Sequence, residues 1–189
     1  GERIAVAAVD VVVSALPWFG LHTLLPDVAP DLVVLPSAPI TTAFVASAAA
    51  APPLPDDGPV VALIDGDPFH FVARTPGGDP RHFGLLSGGS RVFDGMTVHA
   101  IEDLARAQIA RHYPGWNGLD GATVRIRKEQ HATFVAAPGS RRRRPPPGRA
   151  AGASNLWLCG DWTDTGLPAT LEGAARSAEA MLTAMPARS

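Results

Sequence analysis

Near the end of the chain, Asn155–Leu182 reads NLWLCGDWTDTGLPATLEGAARSAEAML, and few folds accommodate that order of residues. A short apolar run, Leu156–Cys159, reads as a buried strand and leads into Gly160-Asp161. A polar turn follows, and Gly166 and Pro168 then open a helix of small and apolar residues. Strand, Gly-Asp, turn and helix start together form a cradle for a polar, electron-rich ligand. The first turn of a helix carries N–H groups without intrahelical partners and a partial positive charge. Gly160 lets the backbone approach a ligand closely, and the Asp161 carboxylate accepts hydrogen bonds from hydroxyls. Gly160, Asp161, Trp162, Gly166, Leu167, Pro168, Ala169 and Thr170 are therefore the candidate cofactor-binding residues.

The stretch GDWTDTGLPATLEGAARSA resembles the C-terminal flavin motif of the amine oxidase and carotenoid desaturase superfamily of FAD enzymes. It is most similar to the squalene-associated FAD-dependent desaturase branch, the hydroxysqualene dehydroxylases, in which GDWT-x-TG-x-PAT-x-EGA recurs. Asp10–Pro17 (DVVVSALP) also matches a strand of that family's FAD domain. The resemblance implies an α/β fold with an α+β substrate lobe, the C-terminal part of a two-lobed FAD/NAD(P)-binding Rossmann-like flavoprotein. It implies FAD as cofactor and an isoprenoid lipid as substrate. Asp161 would lie near the ribityl and pyrophosphate end of FAD, and the backbone of Ala169 and Thr170 would face the pyrimidine edge of the isoalloxazine ring. The implied reaction is reductive dehydroxylation of hydroxysqualene to squalene, a flavin hydride replacing the hydroxyl. Two other readings stand beside it. A carotenoid (phytoene-type) desaturase or a flavin amine oxidase would use the same FAD site. Alternatively, the chain alone is a truncated, non-catalytic interaction module. No residue is assigned as catalytic.

A FAD enzyme of this kind needs a strand, G-x-G-x-x-G and a helix whose N-terminus receives the pyrophosphate. The chain has no such fingerprint: Gly77-Gly78 and Gly88-Gly89 lack both spacing and context. The simplest account is the C-terminal part of a longer enzyme. Without the phosphate-gripping half, the chain is expected to bind FAD weakly or not at all.

The formal net charge of -2 gives no global case for nucleic acid. The single cysteine, Cys159, excludes an intrachain disulfide and reads as a buried structural thiol. The six histidines show no metal-ligand spacing, so no metal site is expected. No secretory leader is visible, and no apolar run reaches the ~20 residues that span a bilayer, so the expected compartment is the cytoplasm. Arg141–Arg144, followed by Pro145–Pro147, reads as a solvated loop extended by like charge and proline. With a lipid substrate, the same loop becomes a candidate peripheral contact with an anionic membrane surface. Trp162 packs on the cofactor ring or in the core, with the core favoured. Glu172 suits the helix dipole as well as a ligand. His131, with Lys128 and Glu129, is a candidate active-site edge group, although a solvated turn is the preferred reading.

Along the chain, Arg3–Pro17 reads as a strand buried on both faces of a parallel sheet. Trp18–Leu25 reads as a short helix with Phe19, Leu21, Leu24 and Leu25 inward. Ile40–Ala46 alternates, and Val60–Ile64 and Pro68–Arg74 flank Asp65-Gly66, a hairpin signal. Phe83–Ser87 reads as a strand ended by Gly88-Gly89-Ser90. Thr97 caps a helix to Arg111, with Val98, Ile101, Leu104, Ala105, Gln108 and Ile109 on one face. Thr123–Arg127 and Ala132–Ala136 read as two strands around a charged segment. The last helix places Leu171, Ala174, Ala175, Ala178, Met181 and Leu182 on its apolar side. The expected organisation is residues 1–30 as part of a FAD-binding lobe, 31–138 as the substrate lobe, 139–154 as a basic proline-rich loop, and 155–189 returning to the FAD-binding lobe.

Overall fold

The computed structural model describes residues 11–26, 35–54, 58–89 and 91–186. Residues 3–10 of the expected first strand and Ser90 of the expected glycine-rich stop lie outside them. The chain divides into two compact units: Gly1–Pro36 with Phe134–Ser189, and Ser37–Thr133.

The first unit is built on a three-stranded sheet in the order β1 (Val12–Ser14), β8 (Leu156–Leu158), β7 (Gly148–Arg149). β1 and β8 run parallel, with Val12 opposite Leu156 and Ser14 opposite Leu158, although some 140 residues separate them in sequence. β8 is the central strand and is buried throughout, as its unbroken apolar sequence demands. β1 is not buried on both faces as expected. It is an edge strand among the described residues, and Val11 and Val13 are each 47% exposed.

Helix α1 (Trp18–Leu24) follows Pro17. It buries Trp18 and Leu21, while Leu24 turns outward, contrary to the expected face. The Trp18 indole N–H donates to the Leu35 carbonyl at 2.7 Å, so this large ring enters the core without leaving its donor unpaired. Trp18, Leu21, Leu35, Phe134, Leu156, Leu158 and Trp162 form the apolar core of this unit.

Helix α3 (Leu171–Ala184) turns Met181 inward with Ala178 beside it, as expected, but Leu171 and Leu182 point outward. Its buried residues are Gly173, Ser177 and Met181, while Leu171 is 93% exposed. The small side chains decide this. A Cβ on Gly173 would lie 2.7 Å from the Pro168 carbonyl oxygen, so the face that approaches the turn must be the one without side-chain bulk.

The second unit is a five-stranded sheet in the order β3 (Val60–Ala62), β4 (Phe71–Ala73), β5 (His82–Gly88), β2 (Ser37–Ala46), β6 (Thr123–Phe134). Helix α2 (Val98–His112) covers one face. Ile101, Ala105 and Ile109 pack with Ala43, Val45, Val72, Phe83 and Leu85 from the sheet. Thr97 caps the helix as expected, its hydroxyl oxygen accepting from the Ala100 N–H at 3.2 Å, but Val98 points to solvent.

Two expectations about this sheet need correction. The strands on either side of Asp65-Gly66 do pair antiparallel as a hairpin, but the connection runs over eight residues, longer than the expected bounds leave. Pro68 cannot donate to a ladder, and Phe69 leaves the sheet to be buried. The segment 123–134 is one strand of 12 residues, so the charged stretch and His131 lie on a strand rather than in a turn. Arg-Lys-Glu-Gln-His contains none of the Gly, Pro, Asn or Asp that a reversal requires.

Gln108, which shares the apolar face of α2, is a bracket for the β3–β4 connection. Its amide accepts from the Phe69 N–H at 3.0 Å and donates to the Phe69 carbonyl at 2.6 Å, fully buried. A Gln108→Leu variant keeps the volume but orphans both backbone groups. It is expected to lose about 2–4 kcal/mol of stability, measured by urea unfolding, since each buried unpaired group costs about 1–3 kcal/mol. A loss under ~0.5 kcal/mol would show that the bracket contributes nothing.

Candidate functional site

β8 delivers the chain to Gly160, whose φ of 140° lies outside the range that a side chain tolerates. The Gly160 N–H donates to the Ser177 hydroxyl at 2.7 Å, and its carbonyl accepts from the Thr163 N–H at 3.1 Å and hydroxyl at 2.8 Å. Ser177 and Thr163 are both fully buried. Ser177 of α3 therefore fastens the start of the turn to the helix that follows it, and Thr163 braces the turn on itself.

Trp162 lies in the core: its indole is buried, and its N–H donates to the Leu16 carbonyl at 3.0 Å. Only its backbone faces the turn. Cys159 is buried against β1, and burial pushes its thiol pKa up, which suits a structural role.

Beyond Trp162 the turn is shaped by two arginines that composition alone assigns to a solvated loop. Residues 140–143 form a single 3-10 turn, and Arg144 follows it into the interior, 9% exposed. Its Nε donates to the Trp162 carbonyl at 3.1 Å, Nη1 to Leu167 at 2.7 Å, and Nη2 to Asp161 at 2.8 Å and to Thr163. The guanidinium carbon lies 5.1 Å from the centre of the Phe134 ring. Burial lowers the Arg144 pKa, against the attraction of Asp164 and Asp161, and the group remains charged.

Arg141 makes a two-oxygen contact with Asp164 at 3.0 and 3.1 Å, and the same carboxylate accepts from the Gly166 N–H at 3.1 Å. Burial raises the Asp164 pKa, but the Gly166 and Arg141 hydrogen bonds outweigh it and hold the carboxyl below its usual range. Arg141, Arg142 and Arg143 are all exposed, Arg141 while paired with Asp164. The four-arginine sequence is thus one buried residue, Arg144, and three exposed ones, of which Arg141 is tied to Asp164. Spacing offered no signal for that division, because the partners, the Asp164 carboxylate for Arg141 and four backbone carbonyls for Arg144, lie about 20 positions away.

The turn ends on α3. The Thr170 hydroxyl caps the helix by accepting from the Gly173 N–H at 3.1 Å, and the Thr170 carbonyl accepts from the Ala174 N–H at 2.9 Å. That leaves the N–H groups of Leu171 and Glu172 at an exposed helix end without partners among the described residues. Glu172 pairs along the helix with Arg176 at 2.7 Å. The Asp161 carboxylate makes no hydrogen bond among the described residues. Ser14, buried at the carboxyl end of β1 where the parallel strands stop, likewise has an unpartnered hydroxyl. Unpaired donors at a helix start, an uncommitted carboxylate and an orphaned hydroxyl fit a ligand that is electron-rich at one end and bears hydroxyls at the other.

His131 is exposed, and its Nδ1 lies 2.6 Å from the Ser37 hydroxyl, both within the second unit. Among the described residues, no group of three or more His, Cys, Asp or Glu side chains converges as a metal site would. No helix among them is long and apolar enough to cross a membrane.

The chain belongs to the flavin containing amine oxidoreductase family, whose model matches residues 1–181. The family carries flavin, so the cofactor implied is FAD, in agreement with the reading of GDWTDTGLPATLEGAARSA. Among its relatives is the hydroxysqualene dehydroxylase of Sinorhizobium fredii, 31% identical over 184 residues, which are 93% of this chain and 38% of that protein. The hydroxysqualene dehydroxylase of Rhodopseudomonas palustris is 45% identical over 97 residues, 49% of this chain and 21% of that one. A third, from Zymomonas mobilis, is 49% identical over 51 residues, 27% of this chain and 12% of that one. The chain therefore spans well under half the length of the curated relatives it matches.

Two outcomes are expected here. Gly160→Ala forces a side chain into a positive φ and places its Cβ 2.7 Å from the Trp162 indole nitrogen, which is already fixed to Leu16. Equilibrium unfolding should show a loss of at least about 2 kcal/mol; an unchanged midpoint would mean that the turn tolerates a side chain. Asp164 has a lowered folded pKa, so its contribution is complete above the unfolded value of about 4 and disappears as pH falls through the lower folded value. Limited proteolysis of the 161–167 turn should accelerate on acidification below about pH 4 in the wild type. In Asp164→Asn the turn should be cut rapidly already at neutral pH, with little further change in acid; equal, slow cutting of both at neutral pH would contradict this.

Proposed function

We propose that the protein to which this chain belongs holds FAD on the Gly160–Thr170 turn and the start of α3, and uses it to convert hydroxysqualene to squalene. The observation that carries the cofactor half of this reading is the turn itself. It is rigidly folded, yet it leaves the Asp161 carboxylate and the first N–H groups of α3 uncommitted. Asp161 would accept from the ribityl hydroxyls, and the helix start with Ala169 and Thr170 would stabilise negative charge at the pyrimidine edge of the ring. Gly160 and Gly166 provide close backbone approach, Leu167 and Pro168 shape the wall, and Trp162 contributes its backbone. Reduced FAD, when bound, would supply the hydride that replaces the substrate hydroxyl, which would leave with a proton as water.

In this reading the first unit is part of the FAD-binding lobe and the second is the substrate lobe of a two-lobed flavoprotein. Two observations support an isoprenoid substrate. The relatives are named for hydroxysqualene. In addition, the sheet face opposite α2 is open and carries a groove of about 660 Å³ lined by Thr42, Phe44, Ala46, Leu86, Thr123 and Arg125. Phe44 and Phe71 are exposed on this sheet, apolar surface of the kind that a long hydrocarbon covers. Arg142 and Arg143, both exposed, are the residues left to make a peripheral contact with an anionic membrane surface at the cytoplasmic side.

The test is turnover by the full-length protein, with reduced FAD, of hydroxysqualene, phytoene and an amine. Squalene from hydroxysqualene is expected; turnover of the amine or of phytoene alone would overturn the reading. Asp161→Ala in the same protein should weaken FAD binding by about 1–3 kcal/mol, the worth of a charge-assisted hydrogen bond. Unchanged FAD affinity would remove Asp161 from the site.

A further inference from the structure

We infer that Arg144 is the positioning residue of the flavin turn: one buried guanidinium holds both limbs of the turn in the spacing that FAD requires. The inference rests on the reading that this turn holds FAD, and it concerns a residue outside the motif.

The guanidinium presents five N–H donors in one rigid plane. Here that plane faces four backbone carbonyls. Those of Asp161, Trp162 and Thr163 belong to the limb leaving β8, and that of Leu167 belongs to the limb entering α3. Among the described residues, no carboxylate bonds directly to the group. A buried charge without a bonded counter-ion is costly, and it persists only where oriented dipoles replace its hydration. Four inward carbonyls and the Phe134 ring at 5.1 Å supply that replacement. Because the peptide group is planar and trans, turning the Asp161 carbonyl inward turns the Trp162 N–H away from the guanidinium. Arg144 thereby decides which backbone groups of the turn are buried and which remain for a ligand. It also fixes the separation between Asp161 and the α3 start, the two parts of the candidate site that Ser177 alone cannot set.

Lysine tests this because it keeps a buried positive charge but loses the plane. In the full-length protein, Arg144→Lys is expected to fold, with an unchanged far-ultraviolet circular dichroism spectrum. Its FAD Kd should rise about tenfold or more, the visible dichroism of bound flavin should change, and the KM for substrate should stay near the wild-type value once FAD is saturating. FAD affinity within about twofold of wild type, with an unchanged flavin spectrum, would overturn the inference. Should Arg144→Lys not fold, Phe134→Leu removes the ring beneath the guanidinium and leaves its donors in place. A several-fold rise in FAD Kd then supports positioning, and wild-type affinity assigns Arg144 a purely structural role. Absence of FAD from the wild-type full-length protein would instead refute the flavin reading itself, and is distinguishable from both.

Discussion

A charged side chain in a protein interior dictates the arrangement of everything around it. Arg144 does so here: its guanidinium is satisfied by main-chain carbonyls alone, from Asp161, Trp162, Thr163 and Leu167. Backbone acceptors cannot swing away as a carboxylate can, so the cation imposes one conformation on the stretch that supplies them. Most of the remaining architecture of the first unit follows. The turn must leave β8 sharply, which requires Gly160, and must return to a helix that lies close, which requires Gly173 and Ser177. Trp162, carried inward by the same turn, joins the core beside Trp18, Phe134 and Leu158.

Stability and ligand chemistry are divided within this stretch. Polar groups that could compete for a ligand are already occupied: the Thr163 hydroxyl by Gly160, the Asp164 carboxylate by Arg141 and Gly166, and Glu172 by Arg176. What remains is an exposed helix start and one carboxylate, at Asp161. A rigid frame with few free groups suits a cofactor that must be held in one orientation, because little ordering is left for the moment of binding.

Much of this was legible in the residues. The strand, the Gly-Asp corner, the helix and the family follow from one stretch of 28 residues, because strand burial, positive φ and helix capping each leave a mark on residue type. The Thr97 cap and the alternation of Ile40–Ala46 were equally readable. The failures share a physical cause, which is tertiary context overriding local pattern. The apolar stripe of α3 pointed at Leu171 and Leu182, but helix approach to the turn is set by steric clearance, which favours Gly173 and Ser177. The run Arg141–Arg144 looked like a solvated loop because charge is a surface signal. Only the three-dimensional meeting of residues about 20 positions apart shows that its last member is buried. Gln108 likewise hid within an apolar face, its role visible only once Phe69 lay beside it.

The central claim is that the turn from Gly160 to Thr170, framed by Arg144, is a flavin-binding surface. Amide hydrogen exchange of the full-length protein, with and without FAD, tests it most directly. FAD should slow exchange in peptides covering residues 160–173, with the largest effect at the α3 start, where Leu171 and Glu172 carry the open N–H groups. Protection by FAD elsewhere in the protein, with 160–173 exchanging at the same rate in both states, would contradict it.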